Sequence, residues 1–172
     1  MADLSTREEY WLSGPVSGVP DLLQPVAHAL LQARDEIATA LQGFDDDKLF
    51  ERPLKLASVG FHLQHIAGVL DRLFTYARAE SLSEAQLEYL ANEAGRVNSE
   101  ALSDLLFVLS VQVDKSITYL ETVEPGTLTD ARFVGRKRLP ATVMGLLFHA
   151  AEHTMRHCGQ LLVTARIVTG GL

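Results

Sequence analysis

The stretch that decides the fold is LLFHAAEHTMRHCGQLL, residues 146–162, in which histidine recurs every four residues. A helix turns about 100° per residue, so His149, His153 and His157 shift by only about 40° per step and form one stripe. Apolar residues such as Leu146 lie near this stripe, and most charged residues fall toward another side. The stretch therefore predicts a long helix whose histidines lie at the edge of its core-facing side.

Three further segments place apolar residues three or four positions apart, which is the spacing of amphipathic helices. They are a first helix from about Pro20 to Gly43, a second that Ser58 caps, and a third at about 99–123. The fourth, which carries the histidine stripe, is predicted from Pro140, because proline suits a first helical turn, to about residue 168, before Gly170 and Gly171. The pattern predicts an all-α fold, a four-helix bundle.

The connections between these helices are of unequal length. About 18 residues join the second and third helices, and within them Ser83 and Gln86 have the spacing of a capping box, with Gly95 as a stop. A short helix inside a long crossover is therefore expected. The segment TLTDARFVGRKRLP, residues 127–140, has no helical period and is expected to cross an end of the bundle.

The chain of 172 residues is long enough for one domain with a core and short for two. Residues 1–19 contain SGPVSGVP, whose glycines and prolines break any periodicity. We expect an irregular N-terminal arm at 1–19, attached to the body through Tyr10 and Trp11, and one bundle domain at 20–172.

The composition restricts the partners and the compartment. A net charge of -7 repels phosphate, so neither nucleic acid nor an anionic membrane is an expected partner. The longest apolar run, 105–113, is shorter than the roughly 20 residues that span a bilayer. A lone cysteine excludes an internal disulfide, and the first residues lack the apolar core of a signal peptide. A cytoplasmic location is the prediction.

The second helix carries two more histidines, His62 and His65, about 60° apart on the helical wheel. Five of the six histidines thus fall in two segments that a bundle can bring together, and bundles build metal sites from facing helices. Imidazole suits Zn, Ni, Cu or Fe, and three neutral imidazoles leave a coordination position free. The sequence predicts a metal site, with a polar seam or a partner surface as the alternative.

Other features have simpler interpretations. His28 is expected to be a surface or hydrogen-bonded histidine, and Cys158 a small core residue rather than a nucleophile. The basic cluster GRKR, residues 135–138, precedes a predicted helix N-terminus. It could bind an anionic substrate there, although three basic residues in an exposed turn are more often only solvated.

Two segments together resemble the DinB/YfiT superfamily of metal-binding four-helix bundles: SVGFHLQHIAGVLDRLF at 58–74 and TVMGLLFHAAEHTMRHCGQL at 142–161. The resemblance covers about residues 20–168 and implies an up-down-down-up bundle. It also implies that zinc or nickel is bound by His65, His153 and His157, with His62 and His149 as neighbours. Spacing alone equally permits His149 with His153 as the pair on the fourth helix.

The resemblance further implies a class of reaction. Characterised members of this superfamily include S-transferases and an isomerase that use low-molecular-weight thiols such as bacillithiol or mycothiol. We therefore expect a metal-dependent enzyme that transfers a small thiol to an electrophile, or that hydrolyses a small substrate, and that forms a homodimer. The alternative is a non-catalytic bundle, either metal-binding or a dimeric structural protein.

Overall fold

The computed structural model describes residues 8–93 and 101–171 and contains five α-helices and one β-hairpin. The helices are α1 Gln24–Ala40, α2 Val59–Ala77, α3 Glu84–Asn92, α4 Leu102–Glu121 and α5 Val143–Thr169. The strands β1 Ala131–Val134 and β2 Leu139–Thr142 pair antiparallel between α4 and α5. The prediction of an all-α fold is confirmed.

The four long helices surround one apolar core. α5 packs against α1 and α2, and α4 closes the other side against both. Contacts between α2 and α5 show that these two helices are antiparallel, because the residues near 57, 62 and 65 meet 164, 157 and 153 respectively. The up-down-down-up order as a whole stays a prediction. Leucine and isoleucine side chains dominate the fully buried set: Leu23, Leu30, Ile37, Leu41, Leu49, Leu63, Ile66, Leu70, Leu109, Leu120, Leu147 and Leu161.

The helix ends follow the capping signals in the sequence. The Ser58 hydroxyl accepts a hydrogen bond from the Phe61 amide at the start of α2. Ser83 and Gln86 form a reciprocal capping box at the start of α3. α5 ends at Gly170, whose φ of 72° is a left-handed conformation that glycine adopts without strain. The structure agrees with these three signals, whereas the predicted stop at Gly95 lies outside the described residues.

The predicted start of the fourth helix is wrong. Pro140 lies in β2 opposite Phe133, and α5 begins only at Val143. Thr142 keeps an extended backbone, and its hydroxyl accepts a hydrogen bond from the Gly145 amide, so the helix N-cap lies two residues after the proline. An edge strand tolerates proline as well as a first helical turn does, so proline alone could not decide between them.

The N-terminal residues contact α1 through Tyr10, whereas the Trp11 side chain is mostly exposed. The Tyr10 hydroxyl donates to Asp35 Oδ2 at 2.8 Å. Trp11 is 65% exposed, and its indole donates to nearby Glu9. His28 contacts the Gly14 carbonyl oxygen through Nε2 at 3.0 Å, which agrees with its expected role as a hydrogen-bonded histidine. Within the described ranges, no helix is both long and apolar enough to cross a membrane.

Two helical glycines make a matched test of the packing. A Cβ atom on Gly60 would lie 2.3 Å from Cε1 of Phe50, whereas one on Gly159 would meet nothing within 4 Å. We predict that Gly60→Ala lowers the free energy of unfolding by about 1–3 kcal/mol through overpacking. Gly159→Ala should raise it by up to about 1 kcal/mol through helix propensity. Urea denaturation of both variants measures this, and equal effects would contradict the close packing of Phe50 on Gly60.

Candidate metal centre

The histidines of α2 and α5 meet at the interface between these antiparallel helices. Nε2 of His65 lies 2.9 Å from Nε2 of His153, and Nδ1 of His62 lies 2.9 Å from Nδ1 of His157. One ring nitrogen from each of His65, His153 and His157 falls within 4.8 Å of the others. We call these three residues the three-His cluster. The structure thus brings together the three predicted ligands, while metal binding itself stays a prediction.

The cluster is half-buried rather than enclosed. Each of its three residues is intermediate in exposure, and the His65 side chain keeps 19% of its accessible surface. His62 lies deeper, with 3% exposure, behind His157. The phenyl ring of Phe61 stacks on the His65 ring at a centroid distance of 5.3 Å. The cluster is therefore partly accessible to solvent.

The surroundings favour neutral imidazoles. Burial, together with the neighbouring His65, lowers the pKa of His62 to about 4. Burial also lowers the pKa of His157 to about 3, with His65, His153 and His62 adding to the shift. The pKa of His153 is lowered for the same reason, first by burial and then by its histidine neighbours. Near neutral pH these rings are uncharged, which is the form that binds metals.

The donor set fits a divalent transition metal. Two Nε2 atoms face each other across 2.9 Å in the His65–His153 pair, and without a cation one of them must donate a proton to the other. Three neutral imidazoles are suitable ligands for zinc, nickel or copper. Among the described residues, no fourth histidine, cysteine or carboxylate joins the three within the same distance. The arrangement is therefore that of an open site, which leaves room for water or substrate.

His149 lies beside the cluster and belongs to a second group. His149, Glu152 and His153 also bring three ligand atoms within 4.8 Å. Glu152 binds His149 Nδ1 at 2.6 Å and pairs with Arg156, and the His149 side chain is 48% exposed. The Glu152 carboxylate therefore already has two partners, His149 and Arg156. Of the two pairs on α5 that spacing permits, the pair of His153 with His157 is the more buried.

One residue near the cluster was not found from the sequence. Glu93 follows α3, and its Oε2 atom lies 3.2 Å from Nδ1 of His65, on the ring edge opposite the cluster. Its Oε1 atom lies 3.4 Å from Arg72. The capping box predicted the short helix, but nothing in its spacing indicates which side chain reaches α2.

Two further sequence features are clarified. Cys158 is buried, and burial with the nearby Glu36 raises the pKa of its thiol to about 12, so it is a core residue as expected. The GRKR cluster forms the turn of the β-hairpin, not the approach to a helix N-terminus.

Between β2, α2 and α5 an open groove of about 650 Å³ extends to His149, with mostly apolar walls that include Leu73, Pro140 and Leu146.

The fold and the cluster together define a helical bundle protein with a candidate histidine metal centre. The model of the DinB superfamily matches residues 29–161, and the chain belongs to this superfamily. A crystal structure of a conserved protein from Enterococcus faecalis has a TM-score of 0.73 and 22% sequence identity to this chain. The match covers 88% of this chain and 99% of that one, and it shows a shared fold. The comparison with curated proteins gives no match.

Lowering the pH should destabilise the metal-free protein. In the unfolded chain the imidazoles take up protons near the ordinary pKa of 6.5, whereas folded His62 and His157 stay neutral until about pH 4 and 3. The unfolded state therefore binds more protons in this window, and the free energy of unfolding falls as the pH drops below about 6.5. Each such group contributes at most about 1.4 kcal/mol per pH unit, less where solvent screens the ring.

Urea denaturation between about pH 7.5 and pH 5 measures this dependence. His157→Gln should reduce the slope, because it removes a ring that resists protonation in the folded state. His28→Gln, which removes a histidine outside the cluster, is the matched control and should keep the slope of the unmodified protein. A free energy of unfolding that does not change over this range would contradict the lowered pKa values of His62 and His157.

Proposed function

We propose that this chain is a metal-dependent enzyme in which His65, His153 and His157 bind one divalent ion, zinc or nickel. The observation that carries the proposal is the convergence of their three ring nitrogens, from two helices, within 4.8 Å. Burial, with the neighbouring histidines, lowers the pKa of His153 and of His157, so these two rings are uncharged near neutral pH and their lone pairs are available. The partial exposure of the cluster supports an open, reactive site rather than a closed structural one.

The chemistry of such a site concerns a thiol or a water molecule. A divalent ion held by neutral ligands keeps its full charge and lowers the pKa of a bound water or thiol, which makes a nucleophile at neutral pH. We propose that the protein transfers a low-molecular-weight thiol to an electrophile, or hydrolyses a small substrate. Cys158 supplies no thiol for this reaction, because its sulfur is buried and its pKa is raised.

The residues around the cluster would bind and orient the substrate. The groove beside His149 is large enough for a small molecule, and its apolar wall would hold the apolar part of an electrophile. Glu152 directly precedes His153 and Arg156 directly precedes His157, and the two place a carboxylate and a guanidinium beside the cluster. His62 supports His157 from behind, at 2.9 Å, and limits the movement of that ring.

A second function, metal binding without catalysis, is favoured by one observation. His62 is almost fully buried and contacts His157, so a small movement of its ring toward the cluster would give a fourth protein ligand. A closed set of four ligands is typical of structural sites. Turnover distinguishes the two functions.

The remaining expectations are part of this proposal. A homodimer is supported by exposed aromatic side chains such as Phe107 and Phe148, which a partner subunit could cover. The net charge of -7 disfavours nucleic acid as a partner and is compatible with a small-molecule substrate. The single, reduced cysteine suits a cytoplasmic location.

Metal content tests the site. We predict that protein purified without an affinity tag and dialysed against zinc holds about one ion per chain, as three ligands require. His65→Ala, His153→Ala and His157→Ala should each lose most of this metal, because two imidazoles bind an ion weakly. His28→Ala is the matched control. Unchanged metal content in all three cluster variants would show that the ligands lie elsewhere.

Turnover tests the reaction. A panel of low-molecular-weight thiols is incubated with a chromogenic electrophile, and small esters and amides are tested in parallel. The metal-loaded protein should accelerate one of these reactions, and its metal-free form and the His153→Ala variant should not, because the nucleophile is made on the ion. A metal-loaded protein with no turnover above its metal-free form would favour the non-catalytic alternative.

A further inference from the structure

The residue after α3 places a buried carboxylate against one metal-ligand candidate. Glu93 is 7% exposed, and its Oε2 atom lies 3.2 Å from Nδ1 of His65. The contact between Glu93 and His65 has the distance of an ion pair but lacks the alignment of a full hydrogen bond. The buried Nδ1 atom of His65 has no other partner among the described residues. Glu93 is thus the acceptor that is closest to satisfying this nitrogen.

The position of this carboxylate is fixed by Arg72. The Nη2 atom of Arg72 lies 3.4 Å from both carboxylate oxygens of Glu93, and Arg72 is itself 8% exposed. An ionised carboxylate inside a protein needs such a partner, because burying it alone is costly. The guanidinium therefore holds the carboxylate between α2 and α3, with one oxygen toward His65.

Contacts between α2 and α3 explain why Glu93 reaches this place. Tyr89 donates through its hydroxyl to the Gln64 carbonyl oxygen at 2.9 Å, and Gln86 donates to Asp71 Oδ2 at 2.8 Å. Gly68 lets α3 approach, since a Cβ atom there would lie 2.6 Å from Tyr89 Cε1 and 2.9 Å from Glu93 Oε1. The short helix is therefore attached to α2 at Gln64, Gly68 and Asp71, on both sides of His65.

We propose that Glu93 is a positioning residue that holds His65 in the tautomer and orientation needed for metal binding. A neutral imidazole carries one proton, and a carboxylate at Nδ1 favours that proton there. Nε2, which faces His153, then keeps its lone pair for an ion. Outer carboxylates of this kind orient metal-binding histidines and make them more basic. The inference rests on the proposed metal site, but its first effect is on the metal-free ring.

The first test therefore uses the metal-free protein. Nitrogen-15 NMR at neutral pH reports which ring nitrogen of His65 is protonated, with His65→Gln used to assign the signal. We expect the Nδ1–H tautomer in the unmodified protein and a mixture of tautomers in Glu93→Ala. Because alanine leaves Arg72 without its buried partner, Glu93→Gln provides a second variant of nearly the same shape. Its amide oxygen can still accept from Nδ1, so it should retain the tautomer.

The second test measures the dissociation constant for zinc by competition with a chromophoric chelator. Loss of an outer carboxylate typically weakens metal binding by about 10- to 100-fold. We expect a weakening of that order in Glu93→Ala and a smaller one in Glu93→Gln, which keeps the acceptor without the charge. Gly68→Ala should resemble Glu93→Ala, because the added Cβ displaces the carboxylate. Glu88→Ala, which removes an exposed carboxylate from the same helix, is the matched control.

The outcomes separate this inference from the proposed function. If Glu93→Ala keeps both the Nδ1–H tautomer and a zinc dissociation constant within twofold of the unmodified protein, the inference is overturned while the metal site stands. If the unmodified protein binds neither zinc nor nickel, the proposed function fails. In that case the NMR comparison still decides whether Glu93 sets the tautomer of His65.

Discussion

The antiparallel packing of α2 against α5 is the constraint on which the site depends. Along α2, His62 and His65 are three residues apart, and along α5, His157 and His153 are four apart in the opposite direction. In this register both pairs meet at 2.9 Å. A shift of one helical turn would move them apart by about 5.4 Å, more than the whole spread of the three-His cluster. The core leucines that fix this register therefore also fix the cluster.

Placing five histidines next to one core has an energetic cost, which the protein limits in two ways. The His62 and His157 rings, whose pKa values are lowered by burial, remain neutral near pH 7, so their burial costs less than that of charged groups. The buried ion pair between Arg72 and Glu93, which lies near them, has its charges matched. A metal ion that binds only the folded chain would repay part of this cost, because its binding free energy adds to the free energy of unfolding.

Several features could be predicted from the sequence because they depend on local spacing. The histidine stripe, the caps at Ser58 and Ser83 and the glycine that ends α5 all act within a few residues. The β-hairpin could not be predicted, since each strand has only four residues and β2 contains a proline. Glu93 could not be predicted either, because its approach to His65 depends on how α3 packs against α2. Local spacing also left His149 and His157 equivalent, and only the tertiary structure distinguishes their surroundings.

The central claim is that one ion lies between α2 and α5, held by His65, His153 and His157. A crystal structure of the zinc-loaded protein, with an anomalous difference map at the zinc absorption edge, tests it most directly. We expect a single strong peak bonded to these three side chains, with a solvent or substrate ligand completing the coordination. A peak bonded to His149 and Glu152 without His65, or the absence of any peak near these histidines, would contradict the claim.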